Sequence, residues 1–215
     1  MDYIAVIDYE HLDNGMFLSS FARSLSSQQT ARGVIIHGDS AYTERLLQSG
    51  MMREEATVRS IRDLNHRLIA LLADYGVSAI GLNGHQRSLI RMEEESTQLD
   101  TNHLLRLPDT PHILLSSLAF VPGRDEPGVL KLPELVALLQ KQLQIRDVIL
   151  FSMNDSDEII QKEMPETIRW AELEETFSES PVPSEFHGVS FPLRLLTTGR
   201  FADYPSTKGT TLITP

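Results

Sequence analysis

The segment GVIIHGDS, residues 33–40, decides how this chain is expected to fold. Its apolar run predicts a buried strand, and the glycine and the polar capping residues after it indicate a turn into a helix. The segment VSAIGLNG, residues 77–84, repeats the order of an apolar run followed by glycine. Between the two, residues 54–75 carry apolar side chains at helical spacing. Strands that alternate with helices predict a mainly parallel sheet covered on both faces.

The same alternation extends toward both ends of the chain. An apolar run at 3–7 predicts a strand, and the spacing over 16–25 predicts a helix. Runs at 112–116 and 147–152 predict buried strands on either side of a helix at 132–143. The remaining predictions are a short helix at 41–48, a hairpin strand at 88–92, a helix at 168–177, a final strand at 209–214, and irregular segments at 93–109 and 178–192. We therefore expect one α/β domain over 1–215, a three-layer αβα sandwich.

The composition limits the kinds of partner that the chain can have. It holds 19 Lys and Arg against 30 Asp and Glu, a net charge of −11. Nucleic acids and anionic membranes bind basic surfaces, so we expect neither as a partner. The sequence has no cysteine, which excludes disulfides, thiolate zinc sites and cysteine nucleophiles. Residues 1–8 lack the basic start and long apolar core of a signal peptide, so we expect a cytoplasmic protein.

The glycine turns at 38–40 and 81–84 are the candidate binding elements. Ligands of open α/β sheets bind outside the carboxyl ends of the strands, and a glycine turn there exposes N–H groups that suit anions. Ordinary turns with glycine at positive φ have the same pattern, and this alternative stays open. The sequence has no Walker A or GxGxxG motif and no histidine spacing typical of a metal site. The acidic segment 154–158 lacks the central glycine of a calcium loop and predicts a solvated turn.

Taken in order, these segments resemble the acetylglutamate kinase branch of the amino-acid kinase family. The family's strand–HGGG–helix unit is similar to HGDS at 37–40, and its long helix with an Asn-Lys pair matches the helix that carries Asn65. Its strand ending in Gly-Leu-x-Gly resembles GLNG at 81–84, and its later helix–strand unit can be laid on 128–152. The resemblance is closest over residues 33–90, and it implies the αβα amino-acid kinase fold.

The residues that such a kinase uses for phosphates are replaced in this chain. The family's first strand ends in Lys-x-Gly-Gly, and the matching positions carry Asp8, Glu10 and His11. Two carboxylates at that point would repel ATP. The third position of the glycine loop is Asp39, which adds negative charge where the acylated amino acid would lie.

The catalytic aspartate of the family aligns with Glu134. Its longer side chain moves the carboxylate by about one carbon–carbon bond, and a misplacement of about 1 Å can cost about a hundredfold in rate. The sequence also has no counterpart of the family's glycine-methionine-lysine segment, which carries the second catalytic lysine. The resemblance therefore implies a degenerate kinase that acts as a small-molecule-binding, regulatory or partner module.

The turns and the resemblance together give a set of candidate ligand-binding residues. These are His37, Gly38, Asp39, Ser40, Arg53, Asn65, Gly81, Asn83 and Gly84. The ligand implied is a small acidic metabolite, and the partner implied is a second copy of the chain or a related kinase.

Two alternatives stay open. One is a divergent active kinase that transfers the ATP γ-phosphoryl group to the carboxylate of an acylated amino acid, with ATP and Mg²⁺ as cofactors. It would need replacement cations, for which the candidates are Lys131, Lys208, Arg194 and Arg200. The other is a purely structural component of an oligomer.

Overall fold

A sheet of eight strands lies at the centre of the part of the chain that the structure describes. The computed structural model describes residues 1–28, 31–152, 165–176 and 180–215. The strands are β1 (Tyr3–Ile7), β2 (Gly33–His37), β3 (Ala79–Asn83), β4 (Ile90–Met92), β5 (Thr97–Leu99), β6 (His112–Ser116), β7 (Leu118–Ala119), β8 (Gly128–Val129), β9 (Asp147–Phe151), β10 (Thr167–Arg169), β11 (Leu193–Leu196) and β12 (Thr211–Thr214). The helices are α1 (Gly15–Ser27), α2 (Tyr42–Gln48), α3 (Arg53–Asp74), α4 (Thr101–Leu105), α5 (Leu132–Leu143), α6 (Trp170–Thr176) and α7 (Thr198–Phe201).

The strand order of the central sheet is β10-β12-β11-β9-β1-β2-β6-β3. Every neighbouring pair is parallel except β11 and β12, so the expected mainly parallel sheet is confirmed. The register pairs Ile7 with His37 and His37 with Ser116. The carboxyl ends of β1, β2 and β6 are therefore level, and the residues that follow them meet at one edge of the sheet.

The core divides into two apolar layers, one on each face of the sheet. Side chains of β1 alternate between them because successive residues of a strand point to opposite faces: Ile4 and Val6 join the layer under α5, and Ala5 and Ile7 join the other. That second layer is covered by α1, α3 and α7. All five residues of β1 are buried, as expected for a parallel strand covered on both faces. The three-layer αβα architecture is confirmed.

Helix α3 is the longest of the described helices, with 22 residues. Its buried apolar positions, from Val58 to Leu72, recur every three or four residues and face the core. Gly76 ends the helix at φ +73, where the Val77 N–H donates to the Leu72 carbonyl (2.9 Å), a typical helix-terminating turn. Within the described ranges, no helix is both long enough and apolar enough to cross a membrane.

Two predictions about secondary structure need correction, and one further strand of the central sheet was not predicted. The segment 93–109 is not irregular, because β5 pairs with β4 in a hairpin and α4 follows, capped by the Asp100 carboxylate, which accepts the His103 N–H (3.1 Å). The helix expected at 168–177 begins only at Trp170, because Thr167–Arg169 form strand β10, which is too short to give a clear periodicity. Strand β11 was not predicted. The acidic segment 154–158 lies outside the described residues.

Candidate ligand-binding site

A cavity of about 400 Å³ lies at the carboxyl edge of the sheet. The residues that directly follow β1, β2 and β6, namely Asp8, Gly38 and Ser117, line it together. Its other walls are residues 129–132, which lead into α5, and residues 183–185. This position is where open α/β sheets bind ligands, and the volume is in the range of small-molecule sites.

The loop after β1 carries a buried ion pair. Asp8 is 2% exposed, and its carboxylate accepts the backbone N–H groups of Glu10 (3.0 Å) and His11 (3.2 Å). The His11 Nδ1 atom lies 2.5 Å from the other carboxylate oxygen, and its Nε2 atom lies 3.3 Å from the Ser152 carbonyl oxygen. Both ring nitrogens of His11 therefore lie next to acceptor oxygens. His11 thus contacts Asp8 from outside the described lining of the cavity, whereas Asp8 and Glu10 are part of that lining.

His37, at the end of β2, belongs to the core and does not line the cavity. Its side chain is fully buried, and burial lowers the pKa of His37 to about 4, so the ring is neutral at pH 7. The Asn65 side-chain amide donates to His37 Nε2 (3.1 Å) and to the Leu82 carbonyl oxygen (3.3 Å). His37 Nδ1 then donates to the Gly38 carbonyl oxygen (3.2 Å). This network fixes the turn that follows β2.

Asp39 lines the cavity and also holds the start of α2. Its carboxylate accepts the Ser40 N–H (2.8 Å) and the Thr43 hydroxyl. Burial raises the pKa of Asp39, although these hydrogen bonds oppose the shift. The Ser40 hydroxyl, buried beside it, accepts the Tyr42 N–H (3.1 Å). Among the described residues, no Lys, Arg or His side chain forms an ion pair with Asp39.

Glu185 and Ser117 are lining residues that the sequence reasoning missed. Glu185 lies in a short turn whose neighbour Phe186 is buried in the core. Partial burial of its carboxyl, together with the charge of Asp8, raises the pKa of Glu185 to about 7. No local pattern points to Glu185, because only the fold brings its loop to the cavity. Ser117 directly follows the strand predicted at 112–116. The expectation that ligands bind beyond the carboxyl ends of the strands, which pointed to Gly38 and Gly84, therefore applies to Ser117 as well.

The candidates on and after β3 lie in tight packing and are absent from the described cavity lining. Asn83 Oδ1 accepts the Ser116 hydroxyl (3.0 Å). A Cβ atom at Gly81 would lie 2.7 Å from Asn65 Oδ1, and one at Gly84 would lie 2.2 Å from the Leu118 carbonyl oxygen. Glycine is therefore needed at both positions for close approach. A ligand-binding role for these residues, and for Asn65, stays a prediction.

Arg53 and Glu134 lie apart from the described lining of the cavity. The Arg53 guanidinium is exposed and forms an ion pair with Glu44 (3.2 Å). Glu134, the position aligned with the catalytic aspartate, is exposed in the first turn of α5. Their proposed roles in binding and catalysis stay predictions.

Of the four candidate replacement cations, Lys131 is the one in the described cavity wall. Arg194 is 3.4 Å from an Asp147 carboxylate oxygen, at the amino end of β9 and so at the opposite edge of the sheet. The described lining contains four acidic residues (Asp8, Glu10, Asp39 and Glu185) and one lysine.

Comparison with known proteins identifies the fold. No family model matches the chain, and no curated protein matches it in sequence. Solved structures do match. N-acetylglutamate synthase from Neisseria gonorrhoeae, complexed with coenzyme A and L-arginine, is 17% identical, with a TM-score of 0.67 over 99% of this chain and 61% of that one. Isopentenyl phosphate kinase from T. acidophilum is 15% identical, with a TM-score of 0.62 over 99% of this chain and 100% of that one.

Aspartate kinase from Synechocystis is 14% identical, with a TM-score of 0.67 over 100% of this chain and 40% of that one. The chain thus spans 61% of the length of the synthase and 40% of the length of the aspartate kinase. At such identities the likeness concerns the fold alone, which is amino-acid kinase-like as the resemblance implied. The acetylglutamate kinase branch and the degenerate motifs stay predictions.

Proposed function

We propose that this chain is a small-molecule-binding or regulatory module that uses an amino-acid kinase-like fold without transferring phosphoryl groups from ATP. The observation that carries the proposal is the composition of the cavity wall, whose described lining holds Asp8, Glu10, Asp39 and Glu185 against Lys131 alone. Phosphoryl transfer depends on positive groups that neutralise the phosphates and the charge that develops on them. A wall of carboxylates opposes both.

The loop after β1 supports the proposal because its carboxylate is fixed in place. Asp8 accepts two backbone N–H groups and pairs with His11, which lies behind the wall. The resemblance places a phosphate-binding lysine at this loop. A rotamer change of Asp8 would break all three contacts, each worth about 1.5–3 kcal/mol when one partner is charged.

The divergent-kinase alternative has one observation in its favour. Lys131 shares the cavity with Gly38, although Glu134 is not part of the described lining. Such a kinase would need Mg²⁺ bridging wall carboxylates and the nucleotide phosphates.

Two further expectations belong to the proposal. The acidic wall favours a cationic or neutral ligand over the small acidic metabolite that the resemblance implied. Assembly with a second copy or with a related kinase is proposed from the resemblance alone, and light scattering of the purified chain tests it.

The experiment is an ADP-release assay with Mg-ATP and N-acetylglutamate, run on the wild type and on Lys131→Gln. Lys141→Gln is the matched control, because Lys141 lies in the last turn of α5, the helix that directly follows Lys131, and outside the described lining of the cavity. We expect no ADP release above the protein-free rate. Turnover that disappears in Lys131→Gln and persists in Lys141→Gln would overturn the proposal and favour the divergent kinase.

A further inference from the structure

The cavity wall contains a buried hydroxyl that the fold leaves without a partner. Ser117 is 0% exposed, and its Oγ atom has no hydrogen-bond partner among the described residues. Its backbone is fully used, since its N–H donates to the His37 carbonyl (3.0 Å) and its carbonyl accepts the Leu130 N–H (2.9 Å). Buried hydroxyls are almost always paired, so the Ser117 hydroxyl has a hydrogen bond left to give to a water or a ligand.

The space in front of this hydroxyl exists because residue 38 is glycine. A Cβ atom on Gly38 would lie 3.6 Å from Ser117 Oγ and 3.6 Å from the Leu132 side chain, and all three residues line the cavity. Gly38 is not among the residues at positive φ, so its backbone conformation does not require glycine. Glycine at this position therefore leaves a recess between Ser117 and Leu132 that another residue would fill.

The wall around the recess combines negative charge with apolar surface. Glu10, Asp39 and Glu185 form no ion pair within the described chain, whereas the Asp8 carboxylate contacts His11. The side chains of Leu130, Leu132 and Pro183 supply apolar lining. Unpaired carboxylates beside apolar surface suit an organic cation better than a bare metal ion, which would use only the oxygens.

We propose that the cavity binds a small organic amine with an apolar body, held by the unpaired carboxylates and by a hydrogen bond between its polar end and Ser117. This inference rests on the proposed function, because a nucleotide site would need the opposite charge. It assigns Ser117 and Gly38 as the residues that decide which molecules fit.

The test is a set of isothermal titrations with named probes. The amine probes are phenethylamine, tyramine and 1,5-diaminopentane, and the charge control is 2-phenylethanol, which is close in shape to phenethylamine and neutral. Mg-ATP is titrated separately and as a competitor. We expect at least one amine to bind and phenethylamine to bind about tenfold or more tighter than 2-phenylethanol.

Matched variants separate binding from folding. Gly38→Ala fills the recess, and Gly15→Ala is its control, because a Cβ atom on Gly15 meets nothing within 4 Å. Glu185→Gln removes one wall charge, and the exposed Glu95→Gln removes an equal charge elsewhere. Ser117→Ala deletes the unpaired hydroxyl without adding volume, so it should fold as well as the wild type. We expect Gly38→Ala, Glu185→Gln and Ser117→Ala to weaken amine binding about tenfold and the two controls to leave it unchanged.

The outcomes are distinguishable. If no amine binds, or if all three site variants bind amines as the wild type does, the inference is wrong while the proposed function stands. If Mg-ATP binds at micromolar concentrations and displaces the amine, the proposed function itself fails.

Discussion

Replacing Asn65 by alanine tests whether the network under the β2 turn is part of the folded core. The wild-type amide donates to His37 Nε2 (3.1 Å) and to the Leu82 carbonyl (3.3 Å), and Asn65 is 2% exposed. Alanine leaves the buried His37 Nε2 atom and the partly buried Leu82 carbonyl without their donor. An unsatisfied buried group costs about 1–3 kcal/mol, so two give a loss of about 2–5 kcal/mol in the free energy of unfolding once some relaxation is allowed.

The assay is equilibrium unfolding in urea, followed by circular dichroism. The control is Arg59→Ala on the same helix, whose exposed side chain forms a surface ion pair with Asp63 (3.8 Å) and should change stability by less than about 0.5 kcal/mol. If Asn65→Ala is as stable as Arg59→Ala, the network does not stabilise the fold. The reasoning about the β2 turn would then be refuted, and Asn65 would be free for the ligand role that the resemblance implied.

Three further changes probe the site and the core. Burial and the charge of Asp8 raise the pKa of Glu185 from 4.5 to about 7 in the folded state, so the folded chain keeps a proton that the unfolded chain releases. The stability of the wild type relative to Glu185→Gln should therefore fall as pH rises from about 4.5 to about 7; the other charged residues in the described cavity lining are Glu10, Asp39 and Lys131. In urea titrations, a wild-type advantage that grows with pH would contradict this. Gly84→Ala places a Cβ atom 2.2 Å from the Leu118 carbonyl and should cost about 1–3 kcal/mol, whereas Gly15→Ala should cost nothing measurable in thermal unfolding. Phe151→Ala removes a ring that packs on Phe17 and Phe201 (centroids 5.2 and 5.3 Å) and should cost about 3–5 kcal/mol, and a loss below about 1 kcal/mol would show that this aromatic cluster is not close-packed.

The sequence predicted the central strands because burial on both faces leaves a clear pattern. The strands β1, β2 and β6 are continuous apolar runs, and parallel pairing makes such runs necessary. Short edge elements carry no such pattern. Strand β5 has three residues and α4 has five, which is less than the length over which periodicity can be recognised.

The candidate site was predictable where it depends on strand ends. Asp8, Gly38 and Asp39 follow predicted strands, and the structure brings them into one cavity. The pairing of Asp8 with His11 depends on side-chain direction within a turn, which the residue spacing alone does not fix. Glu185 comes from a loop far along the chain, and its position is set by the burial of Phe186.

The most direct test of the central claim is isothermal titration of the wild-type chain with Mg-ATP at physiological salt. The acidic cavity predicts no saturable heat up to millimolar nucleotide, because the wall carboxylates repel the phosphates. Saturable binding at micromolar Mg-ATP that is lost in Lys131→Gln would contradict the account and identify a nucleotide site at the carboxyl edge of the sheet.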